Sequence, residues 1–166
     1  MRHIFTLLLG ISVLLLEGCA TTGPAFAPAQ ISDPDAATVY IYRKSNFALR
    51  ARAAYFYVND VNVFDLNAEG YSWVALPEGK YALRQGWAVD MLAKSLVLNL
   101  EVRPRETRYF SFETGLCAAG NKEICFEWVL REQRPEVGRR EIQEMKFQEN
   151  FGASKLAQQL RSRASQ

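Results

Sequence analysis

The chain has 166 residues, 49% of them hydrophobic, with 20 Lys and Arg against 18 Asp and Glu and a formal net charge of +2. So small and mixed a balance, with no long basic run, argues against nucleic acid as a partner. His3 is the single histidine and falls in a segment expected to be removed, so the mature chain cannot build a Ser-His-Asp or Cys-His site or a histidine-ligated metal site. No cofactor and no metal are expected.

Met1-Arg2-His3 is a short basic start, Ile4 to Leu16 is almost wholly apolar, and Leu16-Glu17-Gly18-Cys19 closes the segment. A basic start, an apolar stretch of about 7–15 residues and a small residue before the cut are the marks of an export signal. A membrane span needs about 20 apolar residues, so this stretch is too short to remain as one. The ending resembles the lipobox of bacterial lipoproteins, with Leu16 and Gly18 fitting it and Glu17 departing from it. The resemblance implies a signal peptide over 1–18, cleavage after Gly18, and acylation of Cys19, which makes membrane lipid the partner of the N-terminus. Ala20, rather than an aspartate, resembles the pattern passed on to the outer membrane of Gram-negative bacteria, facing the periplasm. The competing reading is an ordinary secretory signal followed by cysteine.

Removal of the signal leaves about 148 residues, which suits one domain with a real core. Residues 19–36 are small, polar or proline-bearing and read as a tether, with an extended reach of about 50 Å at about 3.3 Å per residue. From Thr38 the chain turns to short runs rich in β-branched and aromatic residues, the signal of strands. Thr38 to Arg43 is the first. Tyr55 to Val58 and Val61 to Leu66 follow, joined through Asn59-Asp60, two residue types that tolerate the positive φ of a tight hairpin. Tyr71 to Leu76 comes next, then the turn Pro77-Glu78-Gly79, after which Lys80 to Gln85 is expected to continue the sheet. Leu96, Leu98, Leu100 and Val102 alternate with more polar residues, the mark of a strand with one buried face. Phe110 and Phe112 share a face, as do Ile124, Phe126, Trp128 and Leu130. About eight such strands predict a mainly β, two-layer β-sandwich over 37–131.

Cys117 and Cys125 lie in the exported part, where disulfides persist. With Cys19 lipidated they are an even pair, expected to close the loop between the last two strands. After Arg134 the period changes. Pro135-Glu136 opens a polar helical segment, and Ala153, Leu156, Ala157 and Leu160 form a narrow apolar stripe, so 132–166 reads as a C-terminal helical tail packed on its own sandwich.

Two constellations are candidates for chemistry. Asp60, Asp65, Glu69, Glu78 and Asp90 could supply an acid/base pair of an envelope hydrolase acting on peptidoglycan or esters, though they fall where charges belong for solubility. Tyr40, Tyr42, Tyr55, Tyr57, Tyr71 and Trp73 could form a face that binds a glycan, a peptide or an envelope protein, since tyrosine offers area with a polar tip. The competing expectation is that the tether or the C-terminal helix covers that face.

Val39-Tyr40-Ile41-Tyr42-Arg43, Tyr57-Val58-Asn59-Asp60 and Tyr71-Ser72-Trp73 through Leu76-Pro77-Glu78-Gly79-Lys80-Tyr81 resemble an uncharacterised family of bacterial lipoproteins known only as a domain of unknown function. The last of these stretches also resembles PEGA-type domains, small transthyretin-like sandwiches of envelope proteins. Asp60 stands where the hairpin turn usually has glycine. The resemblance implies a lipid-anchored sandwich, a non-catalytic binding or scaffold module, and brings no catalytic residues with it.

Overall fold

The computed structural model describes residues 21–88, 93–118 and 124–164; Gly18, Cys19 and Asp90 lie outside the described residues. Among the described residues nine strands form two sheets. In chain order they are β1 Ala37–Arg43, β2 Ala54–Val58, β3 Val61–Leu66, β4 Gly70–Leu76, β5 Gly79–Gly86, β6 Leu96–Val102, β7 Thr107–Ala118, β8 Ile124–Gln133 and the two-residue β9 Lys146–Phe147. One sheet has the order β8-β7-β1-β4-β9, the other β3-β2-β5-β6. The mainly β, two-layer sandwich read from the alternating sequence is the fold.

Alternation decides which side chains meet. Val39 and Ile41 of β1 face the second sheet and join Phe56, Leu66, Leu83 and Phe112 in the main core. Tyr40 and Tyr42 point the other way, and β1 is nonetheless buried along its whole length. The reason is a second apolar layer on the outer face of the first sheet. There Tyr40, Tyr42, Tyr71 and Tyr109 pack with Ile142 and Met145, against Phe26 and Phe147.

Three local features depart from plain alternation. Asn59 (φ 46°) and Asp60 (φ 69°) are both left-handed, so the two-residue hairpin forms without glycine, as these side chains permit. A bulge opposite Phe56 and Tyr57 lets Val63 and Phe64 both turn inward, the extra residue re-aiming the strand. The turn at Pro77-Glu78 does not continue a sheet as expected. β4 pairs with β1 while β5 pairs with β2 and β6, so the chain changes layers there.

Residues 21–36 are not a free tether. Phe147 N donates to Pro24 O at 2.9 Å, Ala25 bridges to Lys146, and Phe26 packs 5.2 Å from the Tyr71 ring. The segment runs the length of the first sheet, ending where Asp35 meets Arg105 at 2.7 Å. Burial of apolar surface holds it there. The C-terminal part is integrated as well. α1 (Pro135–Glu141) lies on Tyr109, where a Cβ at Gly138 would collide with the ring's own Cβ. α2 (Ala153–Ala164) sends Leu156 into the main core.

β1 and β7 pair in parallel only as far as Arg43 and Phe112, whereas β7 and β8 remain paired to Ala118 and Ile124. Beyond Phe112 the hairpin is a two-stranded ribbon; Thr114 is still buried and Trp128 still packs on Trp87, and the ribbon becomes exposed past them, at Leu116 and Phe126. Cys117 and Cys125 are direct cross-strand partners there, joined by a disulfide with Cα atoms 5.0 Å apart. The bridge ties the ends of the last two strands, as expected, and so closes the connection between them.

Candidate functional site

The six candidate aromatic residues divide between two faces. Tyr40 pairs with Trp73 and Tyr42 with Tyr71 across β1 and β4, while Tyr55 and Tyr57 belong to the other sheet. Direct partners share a face, so the first four are one group, and that group is covered.

The covered phenols are all partnered. Tyr40 Oη accepts from Ala29 N at 2.7 Å, and its ring stacks on Tyr109 with centroids 5.1 Å apart. Tyr71 Oη accepts from Ala27 N at 3.0 Å. Tyr42 donates to Glu141 Oε2 at 2.6 Å. Burial first, and then the adjoining Glu141, hold the Tyr42 hydroxyl well above its ordinary pKa. These groups satisfy polar tips under an apolar sheath. Only Trp73 of this group is half-buried.

Around Tyr42 lies a charged network that sequence reading missed. Lys44 Nζ sits 3.1 Å from Glu113 and 3.0 Å from Glu141, bridging β7 to α1. Burial alone would lower the Lys44 pKa, but the two carboxylates outweigh it and the net shift is upward. For Glu141, burial is outweighed by the hydrogen bonds from Tyr42 and Lys44, and its pKa is lowered. The residues lie nearly a hundred positions apart in the chain, so no local spacing announced them.

Arg43 is also beyond a motif search, although alternation with Val39 and Ile41 places it inward. Its guanidinium is fully buried. It donates to the carbonyls of Leu49 at 2.6 Å, Leu66 at 3.0 Å and Arg52. Trp87 and Phe112 stack against it at 5.4 and 5.9 Å. Desolvation lowers its pKa to about 10, which leaves it charged at neutral pH. The fork pins residues 44–53 onto the core, a role one planar cation with several donors can fill.

The second sheet's outer face is the open one. Tyr57 pairs with Asn62 on one side and Arg84 on the other, and Arg84 pairs with Val97. The Arg84 guanidinium lies 3.7 Å over the Tyr57 ring and 3.9 Å from Asp60. Val97 is 62% exposed. One strand position along, Tyr55 pairs with Asp65 and Gly86. Burial raises the Asp65 carboxyl's pKa, with Asn62 opposing it. The result is a shallow polar-aromatic surface.

The candidate carboxylates do not gather. Asp60 lies in the β2–β3 turn, Asp65 on β3, Glu69 in the β3–β4 turn beside Arg50, and Glu78 in the β4–β5 turn. Among the described residues no group of three or more His, Cys, Asp or Glu is placed to hold a metal ion. No protein-family model matches the chain, and no curated protein matches it.

Proposed function

We propose that this protein is a lipid-anchored lipoprotein of the bacterial cell envelope, held in the outer membrane facing the periplasm by acylated Cys19, and acting as a non-catalytic binding or scaffold module. The lipobox-like Leu16-Glu17-Gly18-Cys19 supports the anchor. The Cys117–Cys125 disulfide supports an oxidising compartment. The resemblance to envelope lipoproteins with PEGA-type sandwiches supports the same reading.

The observation that carries the binding role is the contrast between the two outer faces. One is sheathed by residues 24–29, α1 and β9, which bury Tyr40, Tyr42 and Tyr71, while the other leaves Tyr55, Tyr57 and Arg84 half-buried and Val97 exposed. Tyrosine and arginine in a shallow cluster suit a glycan or a protein partner. A photoreactive phenylalanine analogue at position 57 or 97, in cells, is expected to form a discrete adduct with an envelope component. The same analogue at exposed Glu136, on α1, is expected to form none. Absence of adducts at both sheet positions would overturn the binding role.

A further inference from the structure

The path of the chain toward Cys19 fixes which end of the sandwich meets the membrane. Thr21 Oγ1 donates to the carbonyl of Ala68, in the β3–β4 turn. That turn is joined to the end of β1, where Glu69 N donates to Arg43 O at 2.9 Å. β1 then runs into the loop over residues 44–53, and Thr114 of the ribbon donates to Ala48 O of that loop at 2.6 Å. The first described residue, the loop and the ribbon therefore lie at one end.

The same end carries conspicuous apolar exposure. Phe47, at the loop tip, is 89% exposed, and Leu116 and Phe126 of the ribbon are 52% and 50% exposed. Leu116 and Phe126 are direct cross-strand partners. They continue outward the stripe that begins in the core with Phe110 and Phe112 and passes Thr114 opposite Trp128. A core-facing stripe extended past the core would normally be polar, and among the described residues this one is left half exposed at Leu116 and Phe126.

We propose that this end is a lipid-contacting face, with Phe47 and the Leu116/Phe126 pair entering the bilayer interface; the proposal rests on the lipid-anchor reading above. Reach decides the geometry. Only Ala20 stands between Thr21 and Cys19, so the acylated cysteine can lie no more than about 7 Å beyond Thr21. The Leu116/Phe126 pair stands four residues past Phe112, about 14 Å at about 3.4 Å per residue. With the acyl chains seated, the ribbon pair is brought to the headgroup layer. Phe and Leu side chains on a protruding tip are those that partition into that boundary. Exposed Arg50 and Arg52 follow Phe47 in the loop, and Glu69 is paired with Arg50 at 3.1 Å. With charge so mixed, apolar insertion is the driving contribution.

The test uses the lipidated full-length mature protein in vesicles of phosphatidylethanolamine and phosphatidylglycerol with brominated acyl chains, which quench tryptophan on contact. Phe47→Trp and Phe126→Trp are compared with Phe151→Trp, an exposed flank position (53%) away from the proposed face, each relative to the unsubstituted protein. The first two are expected to lose at least half of the added fluorescence, and the third almost none. Flotation of the Cys19→Ser variant reads the anchor separately. Vesicle-bound, Cys19-dependent protein in which positions 47 and 126 are quenched no more than 151 overturns the lipid-contacting face and leaves the anchor standing. That outcome is also the one expected if an envelope protein covers this end. Flotation and quenching that both persist in Cys19→Ser overturn the anchor and support the face. Protein that does not float at all overturns both.

Discussion

At the residue scale, the sandwich is closed by buried polar groups, most of them answered, with Arg43 Nε and Trp87 Nε1 among those left without a partner. Arg43 is held by three carbonyls and two rings, which distributes its charge among dipoles with no opposing ion among the described residues. Tyr42, Lys44 and Glu141 answer one another across β1 and α1. The pH dependence of that network has a definite sign. Glu141 titrates below its ordinary value of 4.5 in the folded protein. Its stabilisation is present above that value and is lost as pH falls through the folded pKa. Lys44 titrates above 10.5, so its share is present below 10.5 and lost as pH rises beyond it. Glu141→Gln is expected to cost about 0.5–1 kcal/mol at neutral pH, in the range of partly exposed ion pairs. Thermal melts of the two proteins should differ at neutral pH and converge only as pH falls below 4.5 through the lowered pKa of Glu141. A gap that stays constant into acid would show that Glu141 contributes by packing alone.

At the element scale, the ribbon of β7 and β8 is the least supported part of the fold. Past Phe112 no third strand among the described residues pairs with it, and two strands alone are marginal in water. The disulfide compensates. For eight residues of separation the chain-entropy model gives about 2.5 kcal/mol. Reduction is expected to lower the melting temperature by about 5–10 degrees and to speed amide exchange most over residues 113–118 and 125–129. Two titratable thiols in unfolded, unreduced protein would contradict the bridge. What the sequence made legible here was local. Alternation at Leu96 to Val102, the Asn59-Asp60 hairpin and the stripe of α2 all depend on neighbours a few residues apart. The layer change at Pro77-Glu78, the bulge at Val63-Phe64 and the ribbon depend on which distant strand takes each edge, and composition carries no trace of that. That the tether or the C-terminal part would cover Tyr40 and Tyr71 was legible as an expectation, and both do cover them; the residues that do so were hidden. Phe26 is an isolated aromatic in a proline-rich stretch, and it gains meaning only beside those rings.

At the scale of the whole molecule, the N-terminal segment, α1 and β9 turn one outer face into a second core and leave the other open. A domain so arranged has a covered back, an open front and one end from which the chain departs toward Cys19. Two acyl chains, at about 0.8 kcal/mol per buried methylene, would hold it on a bilayer far more firmly than one. No helix among the described residues is long and apolar enough to cross a membrane. Fractionation of cells expressing Cys19→Ser tests the proposed attachment most directly. The expected result is a protein recovered in the soluble periplasm or as an uncut precursor, while the parent is recovered at mature size with the membranes. A Cys19→Ser protein of mature size that stays with the membranes would contradict it.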